Sequence, residues 1–420
     1  MSDPSRLTAT EAARRIAAGT LRPEALMEAC LDRIAAREGT VRAFAWLDPA
    51  LARRGAAAAR SGPLHGLPVG VKDVIDTADM PTQMNSPAWA GWRPRSDAAC
   101  VAATRAAGGV VMGKTVTTEF ATRHPGPTAN PHGTGHTPGG SSSGSAAGVA
   151  DFFFPLAFGT QTAGSIIRPA AYCGVVGYKP SYGTISRMGM KIMADSLDTM
   201  GVMARSVEDC ALFAGAVSDR DLAAPRPDSA PRIGLCRSPS WPAAAPETQA
   251  LQERVARVLA GAGAAVEDRE LPGDFVELVE AHPVVMNGES AWSIGWELDT
   301  APAQVTPVLR ERMEWGRAQG AARLDWARGV FARTQAAFPA ATEGLDILVT
   351  PSAPGEAPEG LGWTGDPAFN FIWTSLHVPC VTVPAGTGPN GMPLGIQIVG
   401  RRGEDRAVLA WAGWVARALG

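Results

Sequence analysis

The feature that most constrains this 420-residue chain is a long stretch without formal charge. From Pro125 to Ala150 there is no Asp, Glu, Lys or Arg; the run Asn130–Ala150 reads NPHGTGHTPGGSSSGSAAGVA. Gly and Ser in such density also make flexible linkers. A linker, however, joins separate folded units, and this one runs straight on into apolar Phe152–Phe158. The reading that fits both halves is a packed glycine-rich loop that enters a helix, inside a folded unit.

The flanking sequence supplies that unit. Residues 8–37 read as two helices broken at Arg22-Pro23, with Leu26, Ala29/Cys30 and Ile34 at helical spacing. Val69, Val71, Val74 and Ile75, with two glycines, mark a buried strand in 64–76. Helix is expected at 97–107, 205–217, 247–260 and across most of 274–340. Strands are expected at 110–112, 233–236, 264–268, 346–350, 380–384 and 394–399, and a terminal helix at 404–419. Alternating strands and helices without a long polar linker predict an α/β fold. We expect one unit over 1–420: N-terminal helices in 1–60, a core in 61–230, a variable, mostly helical region in 231–345 that forms the substrate pocket, and C-terminal strands and a helix in 346–420.

Charge and composition narrow the function. The net charge is −3, so no basic excess points to nucleic acid or an anionic membrane. No apolar run is long enough to span a bilayer and the N-terminus lacks a signal-peptide core, so a cytoplasmic location is expected. The six cysteines are irregularly spaced and form no C-x-x-C pair, which predicts reduced, buried thiols. His132 and His136 have helical ligand spacing, but Gly133, Gly135 and Pro138 oppose a helix and no third ligand is evident, so no metal or other cofactor is expected. Gly108–Thr115 satisfies the P-loop pattern and raises a nucleotide-binding alternative. Its context argues against this, because a helix precedes Gly108 and the strand falls inside the motif.

Lysine is scarce. Only Lys72, Lys114, Lys179 and Lys191 occur among 38 basic residues, and Lys72 lies in the apolar Val69–Ile75 run. Unlike arginine, a desolvated lysine can lose its proton. Two serine-bearing runs stand downstream: Gly139-Gly140-Ser141-Ser142-Ser143-Gly144-Ser145, and Gly159-Thr160-Gln161-Thr162-Ala163-Gly164-Ser165-Ile166-Ile167-Arg168-Pro169-Ala170. With Gly66–Asp73 upstream, they resemble the amidase signature family. So do Cys173–Ser181, Asp346–Pro351, Val383-Pro384 and Pro393–Gly400, and the resemblance covers roughly residues 60–400.

That resemblance implies a large mixed β-sheet flanked on both faces by helices. It also implies a Ser–cis-Ser–Lys triad of Ser165, Ser141 and Lys72, with an oxyanion hole from the backbone N–H groups of Thr162, Ala163, Gly164 and Ser165. The chemistry suits these residue types. A serine hydroxyl needs a base, and desolvation can lower a lysine by up to ~3–5 units. Asp73 follows Lys72 directly, but neighbours on a strand face opposite ways. Two departures from the family pattern stand out. Gln161-Thr162-Ala163-Gly164-Ser165 replaces Asp-x-Gly-Gly-Ser, and the arginine usually two residues after the nucleophile is three after it, as Arg168. Ala163 would tolerate a positive φ poorly, and Arg168 precedes a proline, which favours extended backbone. Arg168 is either a binder of a substrate carboxylate or a structural arginine.

The expected activity is hydrolysis of amides, and with the same machinery carbamates and esters, through an acyl-enzyme. The partner is a small-molecule amide or carbamate, with the chain a monomer or homodimer. The alternative is a glutaminase-type subunit of an aminoacyl-tRNA amidotransferase. The helices of 270–340 with their tryptophans, and the loop at Arg123-His124, are the expected pocket walls.

Overall fold

The computed structural model describes residues 3–223 and 226–420. Eleven strands form one mixed sheet: β1 (Phe44–Leu47), β2 (Pro68–Lys72), β3 (Val110–Thr115), β4 (Leu156–Gln161), β5 (Val176–Lys179), β6 (Thr199–Ala204), β7 (Arg232–Leu235), β8 (Ala265–Asp268), β9 (Ile347–Pro351), β10 (Cys380–Thr387) and β11 (Pro393–Val399). Their order is β1-β3-β2-β4-β6-β5-β10-β11-β9-β7-β8. β3, β2 and β4 run parallel, as do β9, β7 and β8, whereas the strands between these groups pair antiparallel. Helices flank both faces, as the sequence resemblance implied. Because β2 and β4 are parallel neighbours, their carboxyl ends emerge at one edge of the sheet. Lys72 ends β2 and Gln161 ends β4.

The charge-free segment is packed, as expected. It leads into the helix Ser143–Ala150, buried at every position but the last. Glycine is required there for approach: a Cβ on Gly144 would lie 2.2 Å from the Ala43 carbonyl and 2.4 Å from the Val116 nitrogen. The serines tie the helix to the sheet. Ser143 and Ser145 donate to the carbonyls of Val116 and Phe158, at 3.3 and 2.7 Å. Ser142 accepts from Thr160 N at 3.2 Å. Each buried hydroxyl thereby offsets its desolvation with a bond.

Most expected elements are present. The sequence reading omitted β1, β4, β5, β6, and the helices Pro49–Ala57, Ile167–Tyr172 and Phe371–Ser375. The P-loop alternative fails geometrically. β3 occupies the motif, and Lys114 is buried in it, donating to the Ile75 carbonyl at 2.7 Å and to Thr82 Oγ1 at 2.6 Å. His132 and His136 each place a ring nitrogen on a backbone carbonyl, of Cys173 and Ala357 respectively. All six cysteines are free and buried. Among the described residues no helix is long and apolar enough to cross a membrane.

Candidate active site

Lys72 is fully buried, and its Nζ donates to Ser141 Oγ at 2.6 Å and to Thr160 Oγ1 at 2.7 Å. The peptide Gly140–Ser141 is cis. Asp73 turns the other way, as strand alternation requires. Its carboxylate faces Lys114 Nζ at 3.4 Å and accepts from the backbone N–H groups of Gln83 and Met84. Among the described residues Lys72 therefore has no carboxylate within bonding distance. Burial pushes its ammonium down to about 7, opposed only by the attraction of Asp198.

The chain leaves β4, turns through Thr162–Ser165 and enters the helix Ile167–Tyr172. Side chains from the end of β4 and from distant segments hold that turn. Gln161, unremarkable in the sequence except as a departure, accepts from the N–H groups of Ile166 and Ile167 at 2.9 and 3.1 Å. Its Nε2 donates to Thr374 Oγ1 at 3.0 Å, and Thr374 donates to the Ala163 carbonyl at 2.9 Å. His282 Nε2 lies 2.9 Å from the Thr162 carbonyl. A carbonyl only accepts, so that nitrogen carries the proton, and burial pushes the imidazole down to about 4. In a planar trans peptide the C=O and the following N–H point in opposite directions. Fixing the carbonyls of Thr162 and Ala163 therefore fixes the N–H groups of Ala163 and Gly164. Thr162 donates its hydroxyl to Asp198, which also accepts from Met193 N and Ala194 N.

Ala163 is not among the described residues with positive φ, so its Cβ causes no backbone conflict. Gly164 is needed for space, since a Cβ there would lie 2.4 Å from Asn370 Oδ1. Arg168 departs from the expected extended backbone. It lies in the first turn of its helix, where the missing N–H of Pro169 leaves no bond unmade.

A cavity of about 240 Å³ opens over this turn. Thr162, Ala163, Ser165 and Arg168 line one side of it, and half-buried Ser165 presents itself to it. No hydrogen bond joins Ser165 to Ser141 among the described residues. The opposite wall is the helix Leu278–Ser293 through His282, Met286 and Asn287, with Arg312 from the helix Pro307–Ala318. Arg123 also reaches the cavity, as expected of its loop. The tryptophans of the helical region do not; the one that does is Trp363. Periodicity could not reveal Gln161, His282, Asn370 and Thr374, because each bonds backbone groups that leave no mark in a side-chain pattern.

The amidase family profile matches residues 25–409. The chain belongs to the amidase family, hydrolases of carbon–nitrogen bonds. It is 33% identical to a glutamyl-tRNA(Gln) amidotransferase subunit of Acidothermus cellulolyticus, over 95% of this chain and 92% of that one. An amidase crystal structure superposes with a TM-score of 0.91 at 30% identity, covering 99% of this chain and all of the other. The peptide amidase of Stenotrophomonas maltophilia gives 0.83 at 30% identity, over 98% and 96% of the two chains.

Proposed function

We propose that the chain hydrolyses amides through an acyl-enzyme on Ser165. The observation that carries this reading is the buried Lys72 ammonium, 2.6 Å from Ser141 Oγ and free of any carboxylate partner among the described residues, beside a cavity lined by Ser165. Ser165 Oγ attacks the amide carbon while its proton passes to Ser141, whose own proton passes to neutral Lys72. The N–H groups of Thr162, Ala163, Gly164 and Ser165 bind the oxyanion. The proton returns through Ser141 to the leaving nitrogen, the C–N bond breaks, and water hydrolyses the ester by the same relay. Carbamates and esters are open to the same attack. Treatment with a sulfonyl fluoride and mapping of the adduct tests the assignment: the label is expected on Ser165. Full activity in Ser165→Ala would remove it.

A second reading comes from the relatives that are named as glutamyl-tRNA(Gln) amidotransferase subunits. In it the same site releases ammonia from glutamine within an assembly of different subunits, rather than in a monomer or homodimer. Hydrolysis of simple amides by the purified chain, with no gain on glutamine, favours the first reading. Weak activity that rises only when partner subunits are added favours the second.

A further inference from the structure

Gln161 stands where the family pattern carries an aspartate, and its amide is buried between two segments with opposite needs. On one side the N–H groups of Ile166 and Ile167 both point at its Oε1, at 2.9 and 3.1 Å. Only the carbonyl end of an amide can receive two donors, so the side chain has one orientation. On the other side Nε2 meets Thr374 Oγ1 at 3.0 Å. The amide nitrogen only donates, so the threonine oxygen must accept there. The single proton of Thr374 is then left for a carbonyl, either that of Ala163 at 2.9 Å or that of Asn370, one helical turn back, at 3.4 Å. Ala163 is the nearer. The bonds therefore run one way, from Nε2–H to Oγ1 and from Oγ1–H to the Ala163 carbonyl.

A carboxylate at position 161 would reverse this order. It accepts at both oxygens, so it would keep the helix N–H groups and take the Thr374 proton for itself. A charge-assisted bond is about twice as strong as a neutral one, and the Ala163 carbonyl would lose its donor. The departure from the family pattern is thus what leaves Thr374 free to hold the turn.

We propose that Gln161 is a positioning residue: its amide forces the Thr374 hydroxyl onto the Ala163 carbonyl and thereby aims the Gly164 N–H at the oxyanion. Across a planar trans peptide the two groups point oppositely, so holding one directs the other. This deepens the amide-hydrolase reading and rests on it. Among the described residues that line the cavity Gln161 is absent, so it acts through Thr374 and not on the substrate. The latch itself contains no ionisable group. The titratable groups around it are Lys72 beside Thr160, Asp198 against Thr162, His282 at the Thr162 carbonyl and Arg168 in the next helix. Among the described residues none of these bonds Gln161 or Thr374.

The test uses Gln161→Glu, which keeps the shape and the acceptor but replaces the donor with a group that titrates. Ionised, Glu should draw the Thr374 proton away; protonated, it has an O–H to donate and should restore the order. The kcat for an amide, divided by the wild-type value at the same pH, is therefore expected to be highest in acid. It should fall ~10-fold or more as the carboxyl ionises, with KM little changed. Taking the ratio removes the titration of Lys72, which both chains share. Thr374→Val releases the same carbonyl without adding a charge, so at alkaline pH the double variant should be no slower than either single one. A ratio that is flat across pH, or losses that multiply in the double variant, overturns the proposal. A second readout needs no turnover. Protein labelled with carbon-13 at alanine carbonyls and nitrogen-15 at glycine reports only Ala–Gly peptides by NMR, and the Ala163–Gly164 signal is the one lost in Ala163→Ser. That signal should move in Gln161→Glu and return on acidification; an unmoved signal overturns the latch. If it moves as expected but wild-type protein cleaves no amide, the latch stands and the hydrolase reading fails.

Discussion

At the scale of single residues, the proposed mechanism turns on Lys72 being neutral when it accepts a proton. Its ammonium is pushed to about 7 by burial, so the fraction able to accept a proton rises with pH through that value. The expected kcat/KM for an amide therefore climbs from acid pH and levels above about 7, with an apparent midpoint belonging to the coupled Lys72–Ser141–Ser165 set. Lys72→Arg keeps a charge in the same place but cannot give it up, and amide turnover is expected to fall by ~10²–10⁴-fold with the circular dichroism spectrum unchanged. Activated aryl esters, whose leaving group needs no proton, should suffer less. Near wild-type amide hydrolysis by this variant would end the assignment of Lys72 as base. The turn that carries Ser165 yields a separate prediction. Thr374→Val and His282→Phe free the carbonyls of Ala163 and Thr162, so kcat should drop by ~10-fold or more while KM changes little. Thr374→Ser should restore it, which simple destabilisation would not predict. Lys72, Ser141, Ser165 and Arg168 are the candidates that the family resemblance marks in the sequence. Gln161, His282, Asn370 and Thr374 were not legible there, because each acts on a backbone group that no side-chain pattern encodes.

At the scale of elements, the charge-free segment is the most exacting part of the fold. Gly144→Ala forces a Cβ against backbone atoms of two other segments. Backbone cannot swing aside as a side chain can, so the unfolding midpoint in urea should fall by the equivalent of ~1–3 kcal/mol or more. Gly135→Ala, in the same segment but with open space at its Cβ and no positive φ, should leave the midpoint within ~0.5 kcal/mol. Elements were legible where apolar periodicity was sustained, as in the two N-terminal helices and the terminal helix. They were missed where a strand is short and wholly buried. β4, β5 and β6 are buried at every position, and so lack the in-and-out alternation that marks a strand facing water on one side. The helix Ile167–Tyr172 is buried all round as well, so it has no polar face to give it away.

At the scale of the whole molecule, six thiols are distributed through the core. Burial pushes Cys30, Cys100, Cys236 and Cys380 up to about 12, and Cys173 and Cys210 upward as well. Thiolates are the reactive form, so native protein should resist a thiol-disulfide reagent while all six react after denaturation. Rapid modification of any one in the folded state would show that its segment opens locally. The order of the sheet has a different consequence, which concerns time. A nascent chain has made Lys72, Ser141 and Ser165 well before the residues that bond the Thr162–Ser165 turn from afar, His282 and Thr374, leave the ribosome. β5 waits likewise for β10 to cover its free edge. On the proposed mechanism an unfinished or clipped chain would own every reacting group and still lack the means to aim them, so hydrolysis would wait until synthesis is nearly over.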